Sequence, residues 1–122
     1  MCDISLAFIS QYAIIVLPEP AKILMRIISE KRIREFWQQR QEAEKAMREW
    51  IQTVRLADWN SFSDVRKTFN HADIYGGCVI FDVGGNKFRI IGKIAYGFKI
   101  VYIRYVLTHR QYDEKKWQSD CR

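Results

Sequence analysis

The residues best suited to chemistry lie near the C-terminus of the 122-residue chain, in the segment 108–113, Thr-His-Arg-Gln-Tyr-Asp. His109 is the leading candidate for an acid or a base, because an imidazole side chain titrates near neutral pH. Tyr112 could stack on a base or transfer a proton, and a cationic, phosphate-rich setting would favour its ionised form. Asp113 could orient His109 or cap the terminal turn, and capping is the favoured role.

Cationic side chains on two predicted strands form the second group of candidates. Because side chains alternate faces along a strand, Lys87, Arg89 and Lys93 should share one face of the first of these strands. Tyr102 and Arg104 join them if the apolar faces of the two strands coincide. Such a surface suits an anionic polymer backbone. The alternative is that these residues form the solvated face of an ordinary antiparallel sheet.

The stretch from Cys78 to Tyr105 should position these cations. It contains three runs rich in β-branched and aromatic residues, which are separated by Gly84-Gly85-Asn86 and by Gly97. Glycine and asparagine accept the positive φ of tight hairpin turns, so the stretch predicts a three-stranded antiparallel meander. The residues expected on its buried face are Phe88, Ile90, Ile94, Val101, Ile103 and Leu107.

The segments on either side of the meander predict one strand and several helices. The run Ile23–Ser29 predicts a first strand, and the hydroxyl of Ser29 could cap the helix that follows. Apolar residues at helical spacing from Ile33 to Val54 predict two helices that break near Gln38–Gln41. Residues Gln111–Trp117 should form a last helical turn that packs on the sheet.

Composition and charge limit the class of protein. A 48% hydrophobic content at this length predicts one folded domain, and a formal charge of +6 favours an anionic partner. Cys2, Cys78 and Cys121 are odd in number and lack metal-ligand spacing, so we expect no disulfide framework and a reducing cytoplasm. Two histidines without a carboxylate-rich cluster make a metal site unexpected.

Residues 1–24 differ from the rest of the chain. Their apolar run, Leu6–Leu17, is too short to span a bilayer and lacks the basic residues that open a signal peptide. We therefore expect a non-native or accessory extension over residues 1–24 and a single domain over residues 25–122, with translation starting at Met25. The alternative is a genuine amphipathic or core segment.

Several segments resemble the HigB toxins of type II toxin–antitoxin systems, which belong to the RelE/ParE superfamily. The most specific are Gly-Gly-Asn-Lys-Phe-Arg at 84–89 and Thr-His-x-x-Tyr-Asp at 108–113. The resemblance covers residues 25–113 and implies an α+β fold. That fold has an N-terminal strand and helical pair, a curved antiparallel sheet and a short C-terminal helical turn. The segments that carry the resemblance are Met25–Ser29, Arg34–Trp37, Ala57–Trp59, Ala72–Ile74, Val79–Arg89 and Val101–Asp113.

The resemblance also implies a function. It implies a cytoplasmic mRNA interferase that cleaves messenger RNA on the translating ribosome without a metal or cofactor. It implies neutralisation by a HigA-type helix-turn-helix antitoxin, and no membrane partner. Two alternatives stay open: a ParE-like toxin that acts by binding a gyrase-type protein target, and an RNA-binding module without chemistry.

Superfamily RNases use basic residues on the sheet and an acid or base near the C-terminus. On this chain the catalytic set becomes Arg89, Arg104, His109 and Tyr112. We expect both arginines to make bidentate contacts with the transition-state phosphate, and lysines to hold the flanking phosphates. The candidates for RNA binding are Asn86, Lys87, Lys93 and Tyr102.

Overall fold

The structure, a computed structural model, describes residues 23–122. The predicted extension over residues 1–24 lies outside the described residues except for its last two positions, and it stays a prediction. The strands are β1 (Arg26–Ile28), β2 (Asp73–Tyr75), β3 (Cys78–Val83), β4 (Phe88–Ala95) and β5 (Ile100–Thr108). The helices are α1 (Glu30–Gln39), α2 (Glu44–Leu56), α3 (Phe62–Thr68) and α4 (His109–Asp113), and short 3-10 turns cover Gln41–Ala43, Tyr96–Phe98 and Lys116–Asp120.

The strands form one sheet in the order β1-β5-β4-β3-β2. The predicted meander is confirmed as β3, β4 and β5, and the α+β class is confirmed with it. Two strands extend the meander: β2 pairs antiparallel with β3, and β1 pairs parallel with β5. A parallel neighbour needs a long crossover connection, and the segment between β1 and β5 provides one. Strands β2 to β5 form the antiparallel sheet that the resemblance implies, and the N-terminal strand β1 adds a parallel edge to it.

Helices α1 and α2 cover one face of the sheet, as their apolar spacing predicts. Helix α1 ends at its C-cap Arg40, inside the predicted break, and residues such as Ile33, Met47 and Val54 are fully buried against the sheet. Ser29 does occupy the N-cap position of α1, but its φ is 70° and its side chain makes no capping bond. The predicted hydroxyl cap is therefore wrong. Within residues 23–122 no helix is both long and apolar enough to cross a membrane.

A β-bulge interrupts the pairing of β4 with β5. Ile91 pairs with Tyr105, but the next residue, Gly92, pairs with Ile103, so Arg104 is the extra residue of β5. A side chain at position 92 would bring its Cβ within 2.9 Å of the Tyr102 carbonyl oxygen, which explains the glycine. An extra residue shifts the alternation of faces beyond the bulge. Leu107 therefore lies on the opposite face of the sheet, and the prediction that it faces the main core is wrong.

The turn between β4 and β5 differs from the predicted glycine turn. Residues Tyr96–Phe98 form a 3-10 turn, and the left-handed residue is Lys99, with φ 58°, rather than Gly97. The Lys99 Nζ lies 2.8 Å from a carboxylate oxygen of Asp58 and donates to Asn60 Oδ1 at 2.7 Å. These contacts fix the turn against the loop before α3.

A second apolar cluster lies on the sheet face that the helices leave uncovered. It contains Cys78, Ile80 and Ile91 from the sheet, together with Trp117 and Cys121 from the C-terminal segment. Cys78 and Cys121 are joined by a disulfide bond. The expectation of no disulfide is therefore wrong. A chain separation of 43 residues hid the pair from an argument based on spacing.

Candidate active site

Arg89, on β4, is buried, with 6% of its surface exposed, which is unusual for a charged residue. Its Nη1 donates to the carbonyl oxygens of Asn86 and Phe88, and its Nη2 donates to Asn86 Oδ1 at 2.5 Å. Its Nε lies 3.0 Å from Asp82 Oδ1. These contacts engage most of the N–H groups that a guanidinium carries. The expected bidentate contact with a phosphate therefore requires Arg89 to release Asn86.

Asp82, on β3, is a candidate site residue that the sequence analysis did not identify. It pairs directly with Arg89 across the β3–β4 ladder, so the two side chains share a face. The signal was present in the sequence: Asp82 and Arg89 stand symmetrically about the turn at residues 84–87. Counting outward from that turn would have placed the carboxylate opposite the guanidinium.

Tyr112, on α4, packs its ring against the guanidinium of Arg89. The Arg89 Cζ lies 4.7 Å from the centroid of the Tyr112 ring, which is a cation–π geometry. Burial raises the pKa of the Tyr112 phenol above its ordinary value, Arg89 opposes that rise, and the carboxylates of Asp73 and Asp82 add to it. Arg89 thus acts on the pKa of Tyr112 in the expected direction, but burial outweighs it and the phenol stays protonated at neutral pH. Tyr112 is available as a neutral hydrogen-bond donor.

The raised pKa of Tyr112 predicts a specific loss of stability in alkali. At pH 7 the phenol is neutral in both the folded and the unfolded chain, so it contributes no pH dependence there. As the pH rises past about 10, the unfolded chain loses its proton first and unfolding becomes more favourable. Urea unfolding measured across this range should show a steeper decline for the wild type than for Tyr112→Phe. If the unfolding free energies of the two proteins fall in parallel as the pH rises, the raised pKa of Tyr112 is contradicted.

His109 begins α4, directly after β5, and its position follows from local sequence. The Thr108 hydroxyl accepts a hydrogen bond from the backbone N–H of Gln111. The side-chain Oε1 of Gln111 in turn accepts from the backbone N–H of Thr108, which completes a capping box. His109 Nδ1 lies 2.9 Å from Asp113 Oδ2, one helical turn along. Asp113 therefore orients the imidazole, which was the less favoured of its two predicted roles. The contact leaves Nε2 as the ring atom that can face a substrate.

Lys87 lies next to His109, although the two are 22 positions apart in sequence. The His109 amide donates to the Lys87 carbonyl oxygen at 2.9 Å, which continues the β4–β5 ladder into the turn. Lys87 is exposed at this turn, beside Asn86. The structure thus gathers five of the predicted site residues at one end of the sheet: Asn86, Lys87, Arg89, His109 and Tyr112.

The other three predicted residues lie elsewhere on the same face. Lys93 pairs with Tyr102 across β4 and β5, four residues from Arg89, which is about 13 Å along the strand. Arg104, the bulge residue, is engaged by Asp120, with Nη2 2.7 Å from Oδ2. The second apolar cluster covers the centre of the face at Ile91 and so separates Arg89 from Lys93 and Tyr102.

A cavity of about 530 Å³ opens beside Arg89. It shares Asp82 and Asn86 with the arginine, and the loop after α3 contributes Phe69 and the exposed His71. His71 is a lone histidine in a loop, so the sequence gives no signal of its place beside Asn86. Over the described part of the chain there is no group of three or more His, Cys, Asp or Glu side chains that could hold a metal ion.

Comparison with known proteins was consistent with this geometry. Residues 43–115 match the HigB toxin family, described as the RelE-like toxic component of a toxin–antitoxin system. The chain is 41% identical over 34 residues to the mRNA interferase toxin HigB of Escherichia coli (strain K12), which is 28% of this chain and 33% of that protein. The mRNA interferase HigB of Escherichia coli O157:H7 and that of Shigella flexneri match to the same extent.

The aligned segment thus spans about a third of the length of these relatives. The family match is longer: it covers more than half of the chain, from the start of α2 to just beyond α4, and it includes Arg89, His109 and Tyr112. This chain therefore belongs to the HigB toxin family, the RelE-like toxic components of toxin–antitoxin systems.

Proposed function

We propose that this toxin is an mRNA interferase, an endoribonuclease that cleaves messenger RNA without a metal ion. One observation carries the proposal: His109, whose imidazole is oriented by Asp113, is hydrogen-bonded through its backbone to Lys87 at the end of the sheet that holds Arg89 and Tyr112. An acid or base next to cationic groups is what RNA transesterification requires. The names of the matched HigB relatives support the same activity.

The reaction needs no nucleophile from the protein, because RNA supplies its own 2′-hydroxyl. A base removes the 2′ proton, the 2′ oxygen attacks the phosphorus, and the 5′ oxygen leaves with a proton from an acid. The products are a 2′,3′-cyclic phosphate and a 5′-hydroxyl. His109 Nε2 suits either transfer. Tyr112, held neutral by burial, suits donation to the phosphate or the leaving oxygen.

In this proposal Arg89 stabilises the charge that develops on the phosphate. It does so through its one remaining Nη2 proton and its fixed position, and not through a bidentate contact. Its protein contacts hold it in place before the substrate binds, which is how a charged group contributes most in a partly buried site. Lys87, exposed at the turn, contacts a neighbouring phosphate. Because Asp120 engages Arg104, this arginine does not contact the reacting phosphate and instead contacts RNA farther along the strand.

The RNA strand passes over the apolar cluster at Ile91 and contacts the same face again beyond it. Lys93 and Tyr102 lie about 13 Å from Arg89 along β4 and provide a cation and a 40% exposed ring for stacking. The cavity beside Asn86 and His71 has the volume of a small-ligand site and takes a base next to the reacting phosphate.

The partners follow from the family and remain part of the proposal. As a toxin of a toxin–antitoxin pair, the protein is neutralised by an antitoxin, which we propose is a HigA-type helix-turn-helix protein. The substrate is mRNA in the cytoplasm, engaged on the translating ribosome. The net charge of +6 is consistent with an RNA-rich partner.

A direct assay tests the proposal. Purified toxin should cleave mRNA in the presence of excess EDTA, and the fragments should carry 2′,3′-cyclic phosphate and 5′-hydroxyl ends. The same assay with and without translating ribosomes shows whether the ribosome is required. No cleavage in either arm, together with growth arrest on expression, would favour a ParE-like toxin that acts on a protein target. Retained RNA binding without cleavage would favour a binding module.

A further inference from the structure

The C-terminal segment, residues 114–122, lies mostly beyond the part of the chain that the family match covers, which ends at residue 115. Two of its residues are nonetheless buried: Trp117 is 3% exposed and Cys121 is 1% exposed. Cys121 forms the disulfide bond with Cys78 of β3, and its carbonyl oxygen accepts from the Gly77 amide at 2.6 Å. The segment is therefore fastened to the sheet at its end by a covalent bond and a hydrogen bond.

The fastened segment contacts the active site through Trp117. The Trp117 and Tyr112 rings are stacked, with centroids 5.2 Å apart and an interplanar angle of 9°. The Trp117 Nε1 also donates to the Tyr112 carbonyl oxygen at 3.0 Å. The Tyr112 ring in turn contacts the guanidinium of Arg89 at 4.7 Å. Indole, phenol and guanidinium thus form a continuous series of contacts, and the disulfide anchors the segment that carries the indole.

We propose that Trp117 is a positioning residue for Arg89 and Tyr112, and that the Cys78–Cys121 disulfide holds it in place, so that reduction of the bond lowers the rate of cleavage. The proposal rests on the proposed RNase function. The supporting argument is geometric: Trp117 supports the ring that supports the reacting arginine, and displacement by about 1 Å is enough to slow an enzyme strongly.

The redox step is a thiol–disulfide exchange with a dithiol. The Cys78–Cys121 bond accepts two electrons and two protons to give two thiols, and the dithiol becomes a disulfide. Both sulfur atoms belong to buried residues, so exchange requires the C-terminal segment to lift from the sheet. In the reduced protein the segment keeps its hydrogen bonds but loses its covalent anchor. Trp117 then spends part of its time away from Tyr112.

The test uses the full chain in a Cys2→Ser background, so that only the two paired cysteines contribute thiols. Thiol titration in denaturant should find none before treatment with dithiothreitol and two after it. Treatment should lower kcat for RNA cleavage roughly tenfold with KM unchanged. Cys121→Ala should match the reduced protein and be insensitive to dithiothreitol. Trp117→Phe should retain more activity than Trp117→Ala, and Ser119→Ala, in the same segment, should retain all of it.

A second measurement separates this proposal from the proposed function. The Arg89 Nε–H resonance, assigned with Arg89→Lys, should shift on reduction because the Tyr112 ring current changes. If the oxidised protein cleaves no RNA, the proposed function fails and this resonance alone decides the positioning role. Two free thiols before reduction would overturn the proposal. So would full reduction that leaves both the resonance and any cleavage rate unchanged.

Discussion

Replacing His109 by alanine should lower the rate of RNA cleavage by about 10²–10⁴-fold, the usual contribution of a positioned acid or base. The side chain is half exposed and its main contact is with Asp113 on the same short helix, so the fold should survive the change. The measurement is the single-turnover rate on a defined RNA, with thermal unfolding followed in parallel. Binding of the antitoxin should be unaffected.

Two neighbours on α4 serve as matched comparisons for His109→Ala. Arg110 is exposed beside it, and Arg110→Ala should change the rate far less. Asp113→Asn removes the charge that orients the imidazole and should give an intermediate loss, because Nδ1 keeps a polar partner. A His109→Ala protein that cleaves RNA at the wild-type rate would remove this residue from the mechanism. In that case His71, in the adjacent cavity, would be the next candidate.

Replacing Arg89 by methionine should destabilise the protein and abolish most of its activity. The change removes a buried cation and leaves the partly buried Asp82 carboxylate and Asn86 Oδ1 without their partner. Loss of one partner from such a pair costs about 3 kcal/mol, toward the lower end of the usual range because Asp82 is 33% exposed. Cleavage should fall by more than about 10²-fold, since the charge that faces the phosphate is gone. Urea unfolding and the cleavage assay measure the two effects.

The double variant Arg89→Met/Asp82→Asn separates stability from catalysis. It removes the stranded carboxylate, so it should recover part of the lost unfolding free energy and none of the activity. Arg104→Met is the matched control for stability. Arg104 is paired with Asp120 on the same face, but 43% of its side chain is exposed, so its loss should cost less than about 1 kcal/mol. Equal destabilisation by Arg89→Met and Arg104→Met would show that burial of Arg89 has no energetic consequence.

Lys99 is a poor control for these cations, although its place at the hairpin end suggests an uninvolved surface lysine. Its Nζ contacts Asp58, the Trp59 carbonyl oxygen and Asn60. Substitution would therefore disturb the loop before α3 and change stability for reasons unrelated to RNA. Exposure and contacts, rather than position along the chain, decide which cation is a suitable comparison.

Local chemistry in the sequence determined most of the elements of this protein. Alternating β-branched residues around Gly84-Gly85-Asn86 specify the meander, because that turn accepts positive φ at all three positions. Helical spacing specifies α1 and α2. Thr108 and Gln111 specify the start of α4 through their capping box, and so place His109 and Tyr112 at the end of β5. Each of these features depends on residues only a few positions apart.

Only the tertiary structure decided how the site is assembled. The bulge at Arg104 lies where two strands approach closely at Gly92, and it turns Leu107 to the second apolar cluster. The burial of Arg89 depends on Asp82 and Tyr112, which arrive from a different strand and from α4. The Cys78–Cys121 bond joins residues 43 positions apart. Periodicity reports which face of an element is apolar, but it carries no information on which distant segment covers that face.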